Sequence, residues 1–216
     1  MREVMDVMVV GFPRTGSTMM AGLLHWPEGG QVCLSERRVH QEGQYGKFRR
    51  EIEWARVWGV KEVNPGRIEA SLRVWPLEKV RKVVMMVRDP VEAMASHWEA
   101  REMRGQRWLS PERQLRRLVE KDLPVLERLK REAGKKLRVV QYEKFVGCSD
   151  CQGKLEDWLE GWQLVGDPSG MVRGFEKRRG VVLRDVSERE ADGRLREFKR
   201  VVARETHVWR QRLGYR

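Results

Sequence analysis

Long hydrophobic runs are missing from this chain. Across its 216 residues no apolar segment approaches the roughly 18 needed to span a bilayer. The longest uncharged apolar stretch near the start, Val7 to Phe12, directly follows Asp6 and is too short for the core of a signal peptide. The expectation is an intracellular, cytoplasmic protein. Cysteine is scarce too, with only Cys33, Cys148 and Cys151. A small, odd number argues against a disulfide framework. Cys148 and Cys151 form a C-x-x-C, but a zinc site would need two more ligands, and neither a second C-x-x-C nor an H-x-x-x-H is present. A redox pair is expected at the start of a helix that follows a strand. Gly147 and Gly153 place this pair in a turn, so a plain loop is expected there. Internal repeats, low-complexity segments and composition breaks are also lacking, so residues 1–216 are expected to form a single domain.

What the chain does have is charge. Lysine and arginine total 44 against 32 acidic residues, a net charge of +12, while 40% of the residues are hydrophobic. From Arg173 to Arg216 there are 14 basic and 7 acidic residues, so over half of the surplus lies in the last fifth of the chain. A basic surface suits an anionic partner. A polyanionic cofactor, an acidic acceptor and a solvated arginine-rich face all remain open on charge alone. A basic nucleic-acid-binding protein is one alternative, but no helix-turn-helix, zinc finger or RNP-like aromatic motif accompanies the charge.

The order of elements indicates the fold. Val4–Val10 reads as a buried strand and Ser17–Trp26 as the helix after it, stopped by Pro27 and Gly29-Gly30. Gln31–Leu34 is a short strand, Glu51–Trp58 a helix, Gly59–Val63 a strand, and Asn64-Pro65-Gly66 a turn before a helix over Ile68–Trp75. Val83–Val87 is the clearest strand. Asp89 then caps a helix with Pro90 at its first position. A long amphipathic helix over Pro111–Ala133, kinked at Pro124, leads to a strand at Leu137–Gln141 and a helix at Gln152–Trp162. A last helix, capped by Ser187 with Glu190 completing the capping box, ends near Leu213. Strands alternating with helices predict an α/β fold: a central, mainly parallel sheet flanked by helices in a P-loop, nucleotide-kinase-like three-layer architecture. Trp54, Trp58, Trp158 and Trp162, four of the nine tryptophans, fall at helical spacing and are expected in the core.

The loop between the first strand and helix carries the first chemical signal. Gly11-Phe12-Pro13-Arg14-Thr15-Gly16-Ser17-Thr18 has glycines placed for a tight turn, hydroxyls at its end and a helix behind it. Inward amides, the helix dipole and the hydroxyls make an anion nest. The alternative is a tight turn that binds nothing. The glycine spacing matches a Walker A loop, but Ser17 stands where an NTPase has lysine. Arg88 follows the third long strand where a magnesium-binding aspartate would be expected, and Asp89 comes one place late. A P-loop small-molecule kinase or NTPase is therefore the lesser alternative.

Pro13-Arg14-Thr15-Gly16-Ser17-Thr18 resembles the 5′-phosphosulfate loop of sulfotransferases that use 3′-phosphoadenosine 5′-phosphosulfate (PAPS), written P-[KR]-[ST]-G-[ST]-[ST]. Val87-Arg88-Asp89-Pro90, followed by Ser96 eight residues after the arginine, resembles that family's 3′-phosphate motif. Gln141-Tyr142-Glu143-Lys144-Phe145 is similar to its Y-E-[DK]-[LF] block, whose tyrosine lies near the adenine. The resemblance implies a sulfotransferase that moves a sulfuryl group in line from PAPS to a hydroxyl acceptor and releases adenosine 3′,5′-bisphosphate. It implies that Arg14, Thr15, Gly16, Ser17, Thr18, Arg88, Ser96 and Tyr142 bind the cofactor. Lys177, Arg178 and Gly180 fit the family's basic C-terminal segment, with a solvated charge run as the alternative. No metal is implied, and the acceptor stays open among sugar, phenol, tyrosine, steroid-like alcohol and lipid.

The resemblance assigns Arg14 to charge stabilisation on the bridging oxygen, because a guanidinium stays charged. Cytosolic members use a histidine base within K-T-H-x-P. Here the stretch is Lys61-Glu62-Val63-Asn64-Pro65, and Val63 occupies the histidine position. Other branches place a glutamate after the second strand, so Glu36 is the expected base, with Glu62 and His40 as alternatives. Lys61 is expected to contact the transferring group, or else to be an ordinary strand-end lysine.

Overall fold

The computed structural model describes residues 4–35, 52–63, 65–102, 111–168, 170 and 193–215. A five-stranded sheet runs through its middle. β1 (Met5–Val10) is the central strand, and all six of its side chains are buried. β4 (Val57–Glu62) lies on one side of it with β3 (Gln31–Ser35) beyond; β5 (Val80–Val87) lies on the other side with β6 (Leu137–Gln141) at the far edge. Every pairing is parallel. Strands that are covered on both faces need largely apolar runs, which is why valine and methionine fill Val7–Val10 of β1 and Val83–Val87 of β5.

Side chains alternate across the sheet and feed two cores. Val7, Val9, Val84 and Met86 point toward α1 (Ser17–Leu23), α6 (Tyr142–Val146) and α7 (Ser149–Leu159), meeting Met20, Leu23, Phe145 and Leu155. Met8, Val10, Trp58, Val60 and Met85 point the other way. There they meet α2 (Pro65–Val74), α3 (Pro90–Glu102), α4 (Pro111–Arg117), α5 (Leu123–Ala133) and α8 (Gly193–Glu205). The α/β class and the parallel, helix-flanked sheet expected from the sequence are what the chain forms.

Several boundaries differ, each for a tertiary reason. α1 stops at Leu23 rather than Trp26, because β2 (Leu24–His25) pairs antiparallel with β7 (Gln163–Leu164). Trp26 then meets the Trp162 ring edge-on at 5.8 Å. Among the described residues, the helix expected over Glu51–Trp58 is helical at 52–54, because Val57 and Trp58 join β4. Trp54 is consequently 86% exposed, and its expected place in the core is corrected; Trp58 is fully buried and Trp162 nearly so. Pro65 begins α2 rather than lying in a turn. The long helix is continuous but wound in wider π-type turns over Leu118–Asp122, just ahead of Pro124. A proline cannot donate to the carbonyl four residues back, and the wider turn absorbs that gap. The last helix is divided at Thr206, whose hydroxyl donates to the Val202 carbonyl at 2.6 Å, into α8 and α9 (His207–Arg212). Ser187 and Glu190, the expected cap and capping-box partner, lie outside the described residues.

The Cys148 and Cys151 expectation is also corrected. Cys148 is the N-cap of α7 and is joined to Cys151 by a disulfide, so the pair opens a helix instead of lying in a plain loop. The segment ahead of it is not a strand but the short helix α6, which itself follows β6.

Candidate functional site

In an open parallel sheet, ligands bind beyond the carboxyl ends of the strands, where the strand order reverses. Here the reversal falls at β1. The chain goes from β1 to β3 and β4 on one side and later to β5 and β6 on the other. The register aligns Val10 with Glu62 and with Met85, and Val87 with Gln141, so four strands end near one level. The residues just past those ends are the Gly11 loop, Arg88 and Tyr142.

The loop is tightly folded on itself. Arg14 has φ 71° and Gly16 φ 85°, both left-handed, so successive amides turn toward the inside of the bend. For an L-residue such as Arg14 this conformation costs about 1–2 kcal/mol. Strain of that kind is retained where the surroundings enforce it. Thr15 is fully buried, and its hydroxyl donates to the Phe12 carbonyl at 2.9 Å. The Thr15 side chain therefore holds the loop closed, and its amide is the part left for an anion. A Cβ on Gly11 would fall 2.4 Å from Thr15 Oγ1 and 2.8 Å from the Met86 carbonyl, so only glycine lets the loop leave β1 at that angle. Ser17 is buried at the start of α1, and Thr18 is exposed.

Three long-range contacts join the loop to the rest of the site. Lys61, nearly buried at the end of β4, donates from Nζ to Thr18 Oγ1 at 2.9 Å. Arg14 donates from Nε to Ser96 Oγ on α3 at 3.0 Å. Arg88 Nη1 donates to the Arg14 carbonyl at 3.3 Å. Tyr142, the first residue of α6, closes the group. A Cβ on Gly16 would lie 2.5 Å from Tyr142 Cδ2, and the Arg88 guanidinium sits 4.9 Å from the Tyr142 ring centroid, within cation–π range. Arg14, Thr15, Gly16, Ser17, Thr18, Lys61, Arg88, Ser96 and Tyr142 are thus gathered at one sheet edge. Glu36, His40, Lys177, Arg178 and Gly180 lie outside the described residues.

Arg88 has a different carboxylate partner from the one a salt bridge to Glu92 would give it. Its Nε lies 3.7 Å from Glu143 Oε1, while Glu92 pairs with Lys199 at 2.9 Å. The Arg88 Nε is buried and has no hydrogen-bond partner among the described residues. Glu62 is fully buried and accepts the Ser71 hydroxyl at 3.0 Å. It points to the face opposite Lys61, toward α2, which is a poor position for a base that must reach an acceptor.

The C-terminal support has no local signal in the sequence. Arg210 on α9 donates twice to Asp89 Oδ2, at 2.9 and 3.3 Å. Asp89 Oδ1 caps α3 through the Val91 amide at 2.9 Å. Asp89 is therefore engaged as cap and ion-pair partner, which counts against a magnesium-binding role. Tyr215 donates its hydroxyl to Glu143 Oε2 at 2.8 Å, behind Arg88. Burial and the adjoining Glu143 carboxylate push the Tyr215 phenol well above its ordinary value. Gln141 Nε2 reaches the Leu213 carbonyl at 2.6 Å. Tyr215 lies more than seventy residues from its partners, and no local pattern encodes such a pairing. Among the described residues no group of three or more His, Cys, Asp or Glu side chains is gathered as a metal-binding cluster, and no helix is long and apolar enough to cross a membrane.

A strand-to-helix anion loop on a five-stranded parallel sheet, facing an arginine from the adjoining strand, defines a P-loop-like α/β protein. The sulfotransferase domain model matches residues 5–168, and the chain belongs to the sulfotransferase family. Solved structures similar to it include a sulfotransferase from Alicyclobacillus acidocaldarius, at 14% identity and TM-score 0.56, covering 98% of this chain and 96% of that one. Sulfotransferase STF9 from Mycobacterium avium matches at 13% identity and TM-score 0.58, covering 99% and 78%. Mouse sulfotransferase SULT7A1 complexed with PAP matches at 14% identity and TM-score 0.54, covering 83% and 66%. At such identities these likenesses concern the fold. No curated protein matches the sequence.

Proposed function

We propose that this protein is a PAPS-dependent sulfotransferase acting on a hydroxyl acceptor. The observation that carries the reading is the meeting, at one sheet edge, of two anion sites: the Gly11–Thr18 loop and the Arg88 guanidinium with its unsatisfied Nε. PAPS carries phosphate groups at two ends of an adenosine, and the residues fit it. Glycine at positions 11 and 16 lets the loop fold tightly against Thr15, Met86 and Tyr142, and the buried Arg88 Nε has no hydrogen-bond partner among the described residues. The mouse relative complexed with PAP supports the same reading.

When bound, PAPS supplies a sulfuryl group for in-line transfer to the acceptor oxygen. The loop amides and the Thr18 hydroxyl hold the 5′ end. Arg88 and Ser96 hold the 3′-phosphate, and Tyr142 offers a ring face to the adenine. Arg14 stays charged at any working pH and stabilises the bridging oxygen as charge gathers there. Lys61 steadies Thr18 and adds positive charge beside the transferring group. Lys177, Arg178 and Gly180 add to binding of the 3′-phosphate, and Glu36 takes the acceptor proton in preference to His40 and the buried Glu62. Catalysis is then mainly positioning and charge stabilisation.

Turnover of labelled PAPS over a panel of sugars, phenols, tyrosine peptides and alcohols tests this. Arg14→Ala is expected to lower kcat by about 100-fold or more with the fold intact. Arg88→Ala is expected to weaken PAP binding by about 10- to 100-fold. Glu36→Gln is expected to lose turnover and keep PAP affinity. Near-normal turnover of Arg14→Ala would overturn the mechanism.

A further inference from the structure

The Cys148–Cys151 disulfide plays no part in sulfuryl transfer as described above. The two cysteines are three residues apart and open α7, an eleven-residue helix. Cys148 is its N-cap, with extended backbone at φ −134° and ψ 99°, and its Sγ accepts the Cys151 amide proton at 3.1 Å. Both cysteines are half-buried, so a small thiol can approach them. We propose that Cys148 and Cys151 form a thiol–disulfide exchange site, a two-electron redox centre that takes a thiol or dithiol as reductant, with Cys148 as the sulfur that is attacked and later attacks.

Position favours this use over simple stapling. A disulfide stabilises a fold mainly by closing a loop in the unfolded chain, and the effect shrinks with the loop. This loop spans a sequence separation of three. The joint it bridges is also held without it. The Cys148 amide donates to the Phe145 carbonyl at 3.4 Å, Gln152 Nε2 donates to the same carbonyl at 3.1 Å, and the Gln152 amide donates to the Cys148 carbonyl at 3.2 Å. Phe145 and Leu155, on either side, are anchored in the core. The helix can therefore keep its place when the bridge opens.

The chemistry balances with an external thiol. Its thiolate attacks Cys148 Sγ, the Sγ–Sγ bond breaks, and Cys151 leaves as a thiolate and takes up a proton. A second thiol attacks the mixed disulfide at its own sulfur and releases Cys148. Two thiols are oxidised to one disulfide while the protein disulfide is reduced to two thiols. The freed Cys148 thiolate is stabilised by the Cys151 amide and the positive end of the α7 dipole, the setting that makes a cysteine reactive. Asp150 in the same first turn opposes this, but its carboxylate is paired with Lys154 at 2.6 Å.

The test is alkylation with peptide-mapped mass spectrometry on the full chain, prepared without reductant and then equilibrated in glutathione buffers of graded ratio. The expected result is that Cys148 and Cys151 resist alkylation at first and become alkylated together as the buffer becomes reducing. Re-oxidation should restore protection with no loss of helical circular dichroism. Cys151→Ser should capture glutathione on Cys148 at least tenfold faster than Cys148→Ser captures it on Cys151. Full alkylation of both cysteines at the outset, or a bridge that forms only once and cannot be re-formed, would overturn the proposal. Equal capture rates in the two variants would overturn the role given to Cys148.

Discussion

Arg88 shows how much a single side chain is asked to do at this sheet edge. It donates to the Arg14 carbonyl, lies over the Tyr142 ring and faces Glu143, and Tyr215 holds Glu143 from behind. Tyr215→Phe removes that last hydrogen bond. It is expected to cost about 1 kcal/mol of stability, and PAP affinity should fall several-fold as Glu143 turns more freely toward Arg88. The pH dependence has a definite sign. Burial and Glu143 hold the folded phenol above its ordinary value of about 10, so its contribution is fully present below that pH and is lost as pH rises toward the folded value. Thermal unfolding from pH 8 to 11 should show an alkaline decline in the wild type that is shallower in Tyr215→Phe. Gly16→Ala is a second test at this scale. The left-handed φ alone costs about 1–2 kcal/mol, and the new Cβ would sit 2.5 Å from the Tyr142 ring. A lowered melting temperature together with loss of PAP binding is expected.

Among the elements, α3 is the one whose start decides the site, because it carries Ser96 eight residues after Arg88. Asp89 both caps it and binds Arg210. Asp89→Asn keeps a good cap and loses the ion pair, whereas Asp89→Ala loses both. Denaturant midpoints should therefore rank wild type above Asn above Ala, with the cap itself worth about 1 kcal/mol. Elements of this kind were legible in the sequence wherever the signal was local. The valine runs of β1 and β5, Asp89-Pro90 and the Gly11 loop all announce themselves within ten residues. The strand expected at Leu137–Gln141 coincides with β6. Legibility failed where distant partners decide the conformation. β2 exists because β7 pairs with it, and Trp58 is a strand residue because β4 needs it beside Asp6, whose carboxylate accepts the Trp58 amide at 3.0 Å. The Cys148–Cys151 pair differs from expectation for the same reason: Gly147 and Gly153 suggest a turn, but Leu155 and Leu159 anchor a helix that begins at Ser149.

For the molecule as a whole, the parallel sheet brings together groups that are far apart in sequence. Lys61 meets Thr18 across 43 residues, Arg14 meets Ser96 across 82, and Arg210 meets Asp89 across 121. The last of these ties the basic C-terminal part of the chain to the site through α8 and α9, whose Leu195, Phe198 and Val202 are buried against the core. Part of the surplus charge therefore supports the site from behind. The central claim is that two anion sites on this edge belong to one adenosine bisphosphate. Calorimetric titration with adenosine 3′,5′-bisphosphate, set beside the same titration with ATP and magnesium, addresses it directly. The expected result is tight binding of the bisphosphate that Arg88→Ala weakens, with ATP–magnesium binding far more weakly. Tight binding of ATP with magnesium and none of the bisphosphate would contradict the account.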